Sequence, residues 1–202
     1  MSPALPVRAA SGIAWRLVEA QHRVSTMKLV GDIDEQITLE ELLDESKPPV
    51  PAACAHLHYL LFTPFRYVPR HDSRFARRGS EDRAFYAAED ATTAVAEIAF
   101  HRLLFFAESP ATALPANPLE MTAFSVRYAT ERALDLTAPP LDADRETWMA
   151  TEDYRGCQAL ASTARSDDVE LLRSISVRDP AGGANLTLLS CAAFSDTRPD
   201  TG

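Results

Sequence analysis

Lysine is almost missing from this 202-residue chain: of its 20 cationic side chains only Lys28 and Lys47 are lysines. Its positive charge is therefore nearly all guanidinium, which suits forked recognition of phosphate or carboxylate, although a GC-rich genome gives the same bias. Glycine is scarce at seven residues, and neither a GxGxxG nor a GxxxxGK[ST] run occurs, so no Rossmann site or P-loop is indicated. Cysteine is limited to Cys54, Cys157 and Cys191, odd in number, widely spaced and without a CxxC element. That pattern is not a disulfide framework and fits a reducing cytosol. Long apolar runs are also lacking. Met1 to Gly12 has no continuous apolar core, and the longest uncharged run, Pro48 to Phe65, carries four prolines and two histidines, so neither a secretory leader nor a membrane span is expected. Net positive charge is absent too. A formal charge of −9 argues against a general binder of nucleic acid or anionic membrane, so no direct nucleic-acid partner is expected. No strict heptad gives a clue to oligomeric state.

What is present is the balance of a globular domain, 46% apolar and 24% charged. At ~150 residues per domain the length implies one compact unit. Both ends, 1–11 and 195–202, are rich in small or polar residues and read as flexible tails around a folded region of 12–194. Ile13–Val18 reads as a first strand, Thr38–Ser46 as a short helix with Thr38 as N-cap, and Ala52–Phe62 as a second helical stretch closed by Thr63-Pro64. Ala84–Ala88 reads as a strand and Asp90–Glu108 as the longest helix, opened by Asp90. Met121–Ala129 follows as a strand and Asp144–Ala164 as helix in one or two pieces. Glu170–Val177 and Ala184–Ala193 then form two strands about the turn Asp179-Pro180-Ala181-Gly182-Gly183. Strands and helices mix without a regular βαβ rhythm, so the fold class is α+β, a single domain with a mixed sheet core and flanking helices.

Two features bear on chemistry. On the longest helix Asp90, Thr93, Glu97 and His101 share one narrow strip, while Ala94, Val95, Ile98, Ala99, Phe105 and Phe106 fill the opposite arc. Such a seam faces either water or a cleft in which Glu97 works with His101 one turn away. Just upstream, Arg66, Arg70, Arg74, Arg77, Arg78 and Arg83 face only Asp72, Glu81 and Asp82, a local charge of +3 in an acidic chain. This stretch is either a solvated loop or a site for a polyanion, gripped by charge-assisted hydrogen bonds.

The pieces Arg16, Ser73-Arg74-Phe75, Phe85-Tyr86-Ala87-Ala88-Glu89-Asp90, Thr93-Ala94-Val95-Ala96-Glu97-Ile98-Ala99-Phe100-His101 and Ile175-Ser176-Val177-Arg178-Asp179-Pro180 occur in this order. Together they resemble the RES-domain family, named for an Arg, a Glu and a Ser. The resemblance covers about 12–194 and implies a fold like that of ADP-ribosyltransferase toxins, with NAD as substrate. It implies the toxin half of a bacterial toxin–antitoxin pair, a helix-turn-helix-type antitoxin as partner, and action in the cytoplasm. By position the named residues are Arg16, Glu97 and Ser176, all catalytic, with Arg16, Arg74, Tyr86 and Ser176 holding NAD. Glu97 would stabilise the cationic ribose that forms as the nicotinamide bond breaks. Arg16 and Arg74 would hold the pyrophosphate, Tyr86 would stack on nicotinamide, and Ser176 would bond the ribose or the nicotinamide amide while steadying Glu97. The acceptor of ADP-ribose stays open between phosphate, water and a protein target. The long interval between Arg16 and Arg74 makes 19–65 an insertion, and Ser73-Arg74-Phe75-Ala76 replaces the Gly-Arg-Trp-Asn common in the family, leaving Arg77 and Arg78 as rivals of Arg74.

Other readings are weaker. Cys54 and His58 share an i, i+4 face but lack a third ligand, so no metal is expected; His56 points elsewhere. Glu40 and Glu41 read as helix surface. A second reading, of a different class, is a non-catalytic module that docks an acidic protein or RNA through Arg66–Arg83.

Overall fold

Five strands close into a barrel in the computed structural model, which describes residues 4–19 and 30–201. Lys28, residues 1–3 of the expected N-terminal tail and residues 20–29 of the expected insertion lie outside the described residues. The strands are β1 (Arg8–Glu19), β2 (Phe85–Ala88), β3 (Met121–Asp135), β4 (Leu171–Ile175) and β5 (Ala184–Leu188), in the order β1-β2-β5-β4-β3. All neighbours are antiparallel except β3 and β4, which run parallel from Ala133↔Leu171 to Asp135↔Arg173. The α+β expectation thus stands.

The period-2 pattern of β3 shows why it is a strand: Phe124, Val126, Tyr128 and Thr130 are buried and alternate with exposed Ala123, Arg127, Ala129 and Glu131. β3 runs six residues past the expected Ala129, and the alternation gives way at Glu131-Arg132, both exposed, and Ala133-Leu134, both buried, where pairing with β4 begins. A strand covered on both faces has no polar side to display.

Two apolar clusters flank the sheet. One gathers Phe85 and Phe124 with Leu60, Leu61 and Phe65 of α2 (Tyr59–Arg66), and the Phe85 and Phe194 rings meet edge to face at 5.0 Å. The other seats α5 (Arg155–Ser166) through Cys157, Ala161 and Ala164 against Leu134, Leu172 and Phe75. Small residues on that helix let it lie close to the strands. Asp144–Ala164 therefore divides, as one expected option had it, into α4 (Arg145–Trp148) and α5.

Several local expectations need correction. α1 spans Ile33–Glu45 and is capped by Asp32, whose carboxylate accepts from the Glu35 amide at 2.8 Å, so the start at Thr38 is too late. The segment from Ala52 is a single 3-10 turn, Ala52–Cys54; α2 starts only at Tyr59 and runs through Pro64. Proline forfeits one backbone bond there, but burial of Phe65 beyond it holds the turn. At the C-terminal end, residues 195–200 do not fray: Asp200 pairs with Ser125 and the Asp196 carboxylate accepts from Arg127 at 2.7 Å.

The cysteines also depart from expectation. Cys54 and Cys191, 137 residues apart in sequence, form a disulfide between two short 3-10 turns, with Cα atoms 5.6 Å apart. Spacing along the chain carries no signal for such a contact, since the fold alone makes it. Cys54 is thereby removed as a metal ligand, and the His58 ring instead caps α2 by accepting from the Leu60 amide. No cluster of three or more metal-ligating side chains occurs among the described residues, and no helix there is long and apolar enough to cross a membrane. Cys157 is buried and free. Thiol titration in denaturant should count one reactive thiol without reductant and three after reduction; three before reduction would refute the pairing.

Candidate active site

The middle of the strip on the longest helix, Thr93 and Glu97, faces inward, while its ends, Asp90 and His101, are exposed. α3 (Ala91–Glu108) packs against β1, β2 and β5, and the residues it buries are Thr93 and Ala94. Much of its apolar arc is turned outward: Val95, Leu103 and Phe105 are 49%, 64% and 52% exposed. The contact side of the helix thus includes the middle of the polar seam, unlike the face an ordinary surface helix buries. Asp90 occupies the N-cap position but makes no capping bond.

Glu97 projects from this seam with its side chain 23% exposed. Its Oε1 accepts from the Ser176 hydroxyl at 2.6 Å and from the Asn185 amide at 2.5 Å. Both donors bear on one oxygen, which fixes the carboxylate plane. Oε2 has His101 Nε2 at 3.9 Å, and that ring is 63% exposed at the rim. Ser176 is itself 2% exposed and fully engaged, since its oxygen also accepts the amides of Arg178 at 3.2 Å and Asp179 at 3.0 Å. Its proton is committed to Glu97 and its lone pairs to the turn, so it positions Glu97 and the turn together. Glu89, the other glutamate of the same motif, points away and grips Arg173 with both oxygens at 2.7 and 2.8 Å.

Glu97 opens into a cavity of about 370 Å³, a size typical of small-molecule sites. Arg16, Arg74 and Tyr86 line it as well, so four of the five expected site residues border one space and the fifth, Ser176, holds Glu97 from behind. The half-buried Arg16 donates to the Tyr86 carbonyl at 2.9 Å and lies 4.7 Å over the Phe85 ring. No carboxylate pairs with it among the described residues, and burial pulls its guanidinium down to about 10, still protonated at neutral pH. A desolvated cation without a counter-ion is a ready place for an anion. Tyr86 donates or accepts through its hydroxyl with Ser73 at 2.8 Å, and desolvation raises its phenol above the ordinary value.

Arg74 reaches the cavity, but its two terminal nitrogens donate to the carbonyls of Ile175 at 3.0 Å and Trp148 at 2.7 Å. It braces the end of β4 to α4, and a pyrophosphate grip would have to displace these bonds. Its rivals Arg77 and Arg78 are exposed and do not line the cavity. Half of the six arginines in the basic stretch are also paired with carboxylates: Arg66 meets Asp44, Arg77 meets Asp82 and Arg83 meets Glu81. Instead Arg178, which the sequence reading left out of the site, lines the cavity, stacks at 3.7 Å over Phe100 and donates to the Thr151 carbonyl. Asn185 was missed as well. Its place opposite Ser174 on neighbouring strands is a product of sheet register, for which the local sequence gives no sign.

The turn carrying Ser176 and Arg178 is locked by Asp179. Its carboxylate accepts from the Thr93 hydroxyl at 2.7 Å and from the Ala181 and Gly183 amides at 2.9 and 3.2 Å. A Cβ on Gly183 would collide with the Thr93 hydroxyl and this carboxylate, so only glycine allows the approach of α3.

The chain is thus an α+β domain with a closed five-stranded barrel, and its cavity sets the braced Glu97 carboxylate beside the Arg16 guanidinium, which no carboxylate among the described residues pairs. Residues 50–201 match the RES domain, more than half of the chain, and the chain belongs to the RES-domain family. Arg16 lies before the matched segment. In fold the chain is similar to one in the crystal structure of the M. tuberculosis MbcT–MbcA toxin–antitoxin complex, at 15% identity and a TM-score of 0.55 over 97% of this chain and 84% of that one. No curated protein matches in sequence.

Bonding to Thr93, then to the Ala181 and Gly183 amides, holds the Asp179 carboxyl below its ordinary value. A depressed carboxylate stabilises the fold fully above its unfolded pKa, ~3.9, and ceases to do so as pH falls through the lower folded value. Asp179→Asn should therefore lower the Tm at pH 7, and the gap to wild type should narrow below about pH 4; a gap independent of pH would contradict this role.

Proposed function

We propose that this RES-domain protein cleaves NAD at the ribose–nicotinamide bond and is the toxin of a bacterial toxin–antitoxin pair. The observation that carries the reading is Glu97, held on one oxygen by Ser176 and Asn185 and facing the cavity that Arg16 shares. Breaking the glycosidic bond sends its electron pair to the pyridinium nitrogen, so nicotinamide leaves neutral and positive charge develops on the ribose C1′ and ring oxygen. A fixed carboxylate beside that charge lowers the barrier, because it needs no reorientation as the charge appears. Oε2, which lacks the two strong donors of Oε1, is the oxygen that meets the ribose. Water or phosphate then adds to C1′, a proton leaving in the case of water; a protein nucleophile at the same carbon gives ADP-ribosylation instead.

Arg16 and Arg178 supply the diphosphate clamp, since both line the cavity and neither has a carboxylate partner among the described residues. Tyr86 offers the face on which the pyridine ring stacks. NAD is an intracellular coenzyme, which puts the action of the protein in the cytoplasm. The partner is a helix-turn-helix-type antitoxin covering the mouth of the cavity, a reading supported by family membership and by the complex in which the structural neighbour was solved.

Purified protein incubated with NAD, with and without phosphate, should release nicotinamide. Glu97→Gln should lower kcat by about 10²–10³-fold, the loss typical when one preorganised electrostatic partner is removed. Arg178→Ala should act mainly on KM, and Glu131→Gln, on the exposed face of β3, should change neither. Equal turnover by wild type and Glu97→Gln would overturn the reading.

A further inference from the structure

The described residues hold five buried side-chain polar atoms without a hydrogen-bond partner, and four of them belong to residues that line the same cavity: Arg74 Nε, and on the sheet Ser174 Oγ, Asn185 Oδ1 and Thr187 Oγ1. Buried polar groups are normally paired, and a cluster of orphans in one place asks for a missing partner. Ser174 is 0% and Thr187 1% exposed.

Sheet register explains the cluster. Ser174 stands directly across from Asn185, and Thr187, two residues along β5, presents the same face and lies opposite Tyr86 of β2. Two adjacent strands, β4 and β5, thus give the cavity a polar floor beside the Tyr86 ring of β2. The floor also has a fixed polarity. Because the Asn185 NH₂ group donates to Glu97, its Oδ1 is left as an acceptor only, while the two hydroxyls both donate and accept. A partner must therefore give at least one hydrogen, to Oδ1, and the hydroxyls can donate to an acceptor that it carries. A primary carboxamide does both, whereas a carboxylate has no hydrogen for Oδ1 and would set lone pair against lone pair.

We propose that Ser174, Asn185 and Thr187 form a subsite for the carboxamide of the departing pyridine ring, so that the protein discriminates NAD from its deamidated analogue, in which a carboxylate replaces that amide. The inference rests on the NAD reading above and adds a specificity that reading does not contain. Ser174 and Thr187 are binding residues in this scheme; Asn185 both binds and positions, through Glu97.

Rates of pyridine release from NAD and from nicotinic acid adenine dinucleotide test the point, with the double variant Ser174→Ala, Thr187→Val. Wild type should favour NAD by about 10²-fold or more in kcat/KM, because a site built to bond a polar group rejects an analogue that leaves it unpaired. The double variant should lose about tenfold of that ratio and keep or raise its Tm, since the hydroxyls removed bond to no protein group. Equal use of both dinucleotides by wild type, an unchanged ratio in the variant, or a fall in Tm with parallel loss on both substrates would overturn the subsite. Calorimetric titration with free nicotinamide and nicotinate separates the two claims. Selective binding of nicotinamide that the double variant loses, with no NAD turnover in wild type, sinks the cleavage reading and keeps the subsite. Turnover of NAD without that selectivity does the opposite.

Discussion

The carboxylate of Glu97 is where three separate parts of the chain are tied together. It comes from α3, and its two donors come from the end of β4 and from β5, 79 and 88 residues away in sequence. An ionised group that is only 23% exposed needs such partners, since burying a charge without hydrogen bonds is far costlier than burying it with them. The barrel, the Asp179 turn and the close approach permitted by Gly183 all serve to bring those donors to one oxygen.

The same constraint divides labour among the arginines. Arg74 is held by two carbonyls and fixes the loop that leads from β4, which is the loop that carries Ser176 and Arg178. Arg173 is held by Glu89 on the other face of the sheet, because adjacent strand residues point to opposite sides. Arg16 and Arg178 keep aromatic neighbours and backbone carbonyls but no carboxylate, the condition in which a guanidinium is available to an incoming anion. Four arginines of similar appearance in the sequence are thereby two braces and two unneutralised charges.

Much of this was legible before any coordinates. The helix seam named Glu97 because 3.6-residue periodicity is a local property, and the motif resemblance picked out Arg16, Arg74, Tyr86 and Ser176, all of which fall in or against one cavity. Mixed α+β character followed from the succession of elements. Contacts set by tertiary register were not legible. Asn185 reaches Glu97 only because β5 pairs with β4 in one alignment, and Cys54 finds Cys191 only when the fold brings two distant turns together. Pro64 inside α2 reversed a sound local rule because burial of Phe65 outweighed the lost bond. Arg74 lines the cavity, but its two carbonyl partners, which only the fold brings to it, were not legible in the charge-rich stretch.

A crystal structure of the Glu97→Gln variant soaked with NAD tests the central claim most directly. The account predicts intact dinucleotide in the cavity, its diphosphate on Arg16 and Arg178 and its ribose C1′ within contact distance, about 3–4 Å, of the side chain at position 97. A dinucleotide bound outside the cavity, or seated with its ribose turned away from position 97, would contradict it.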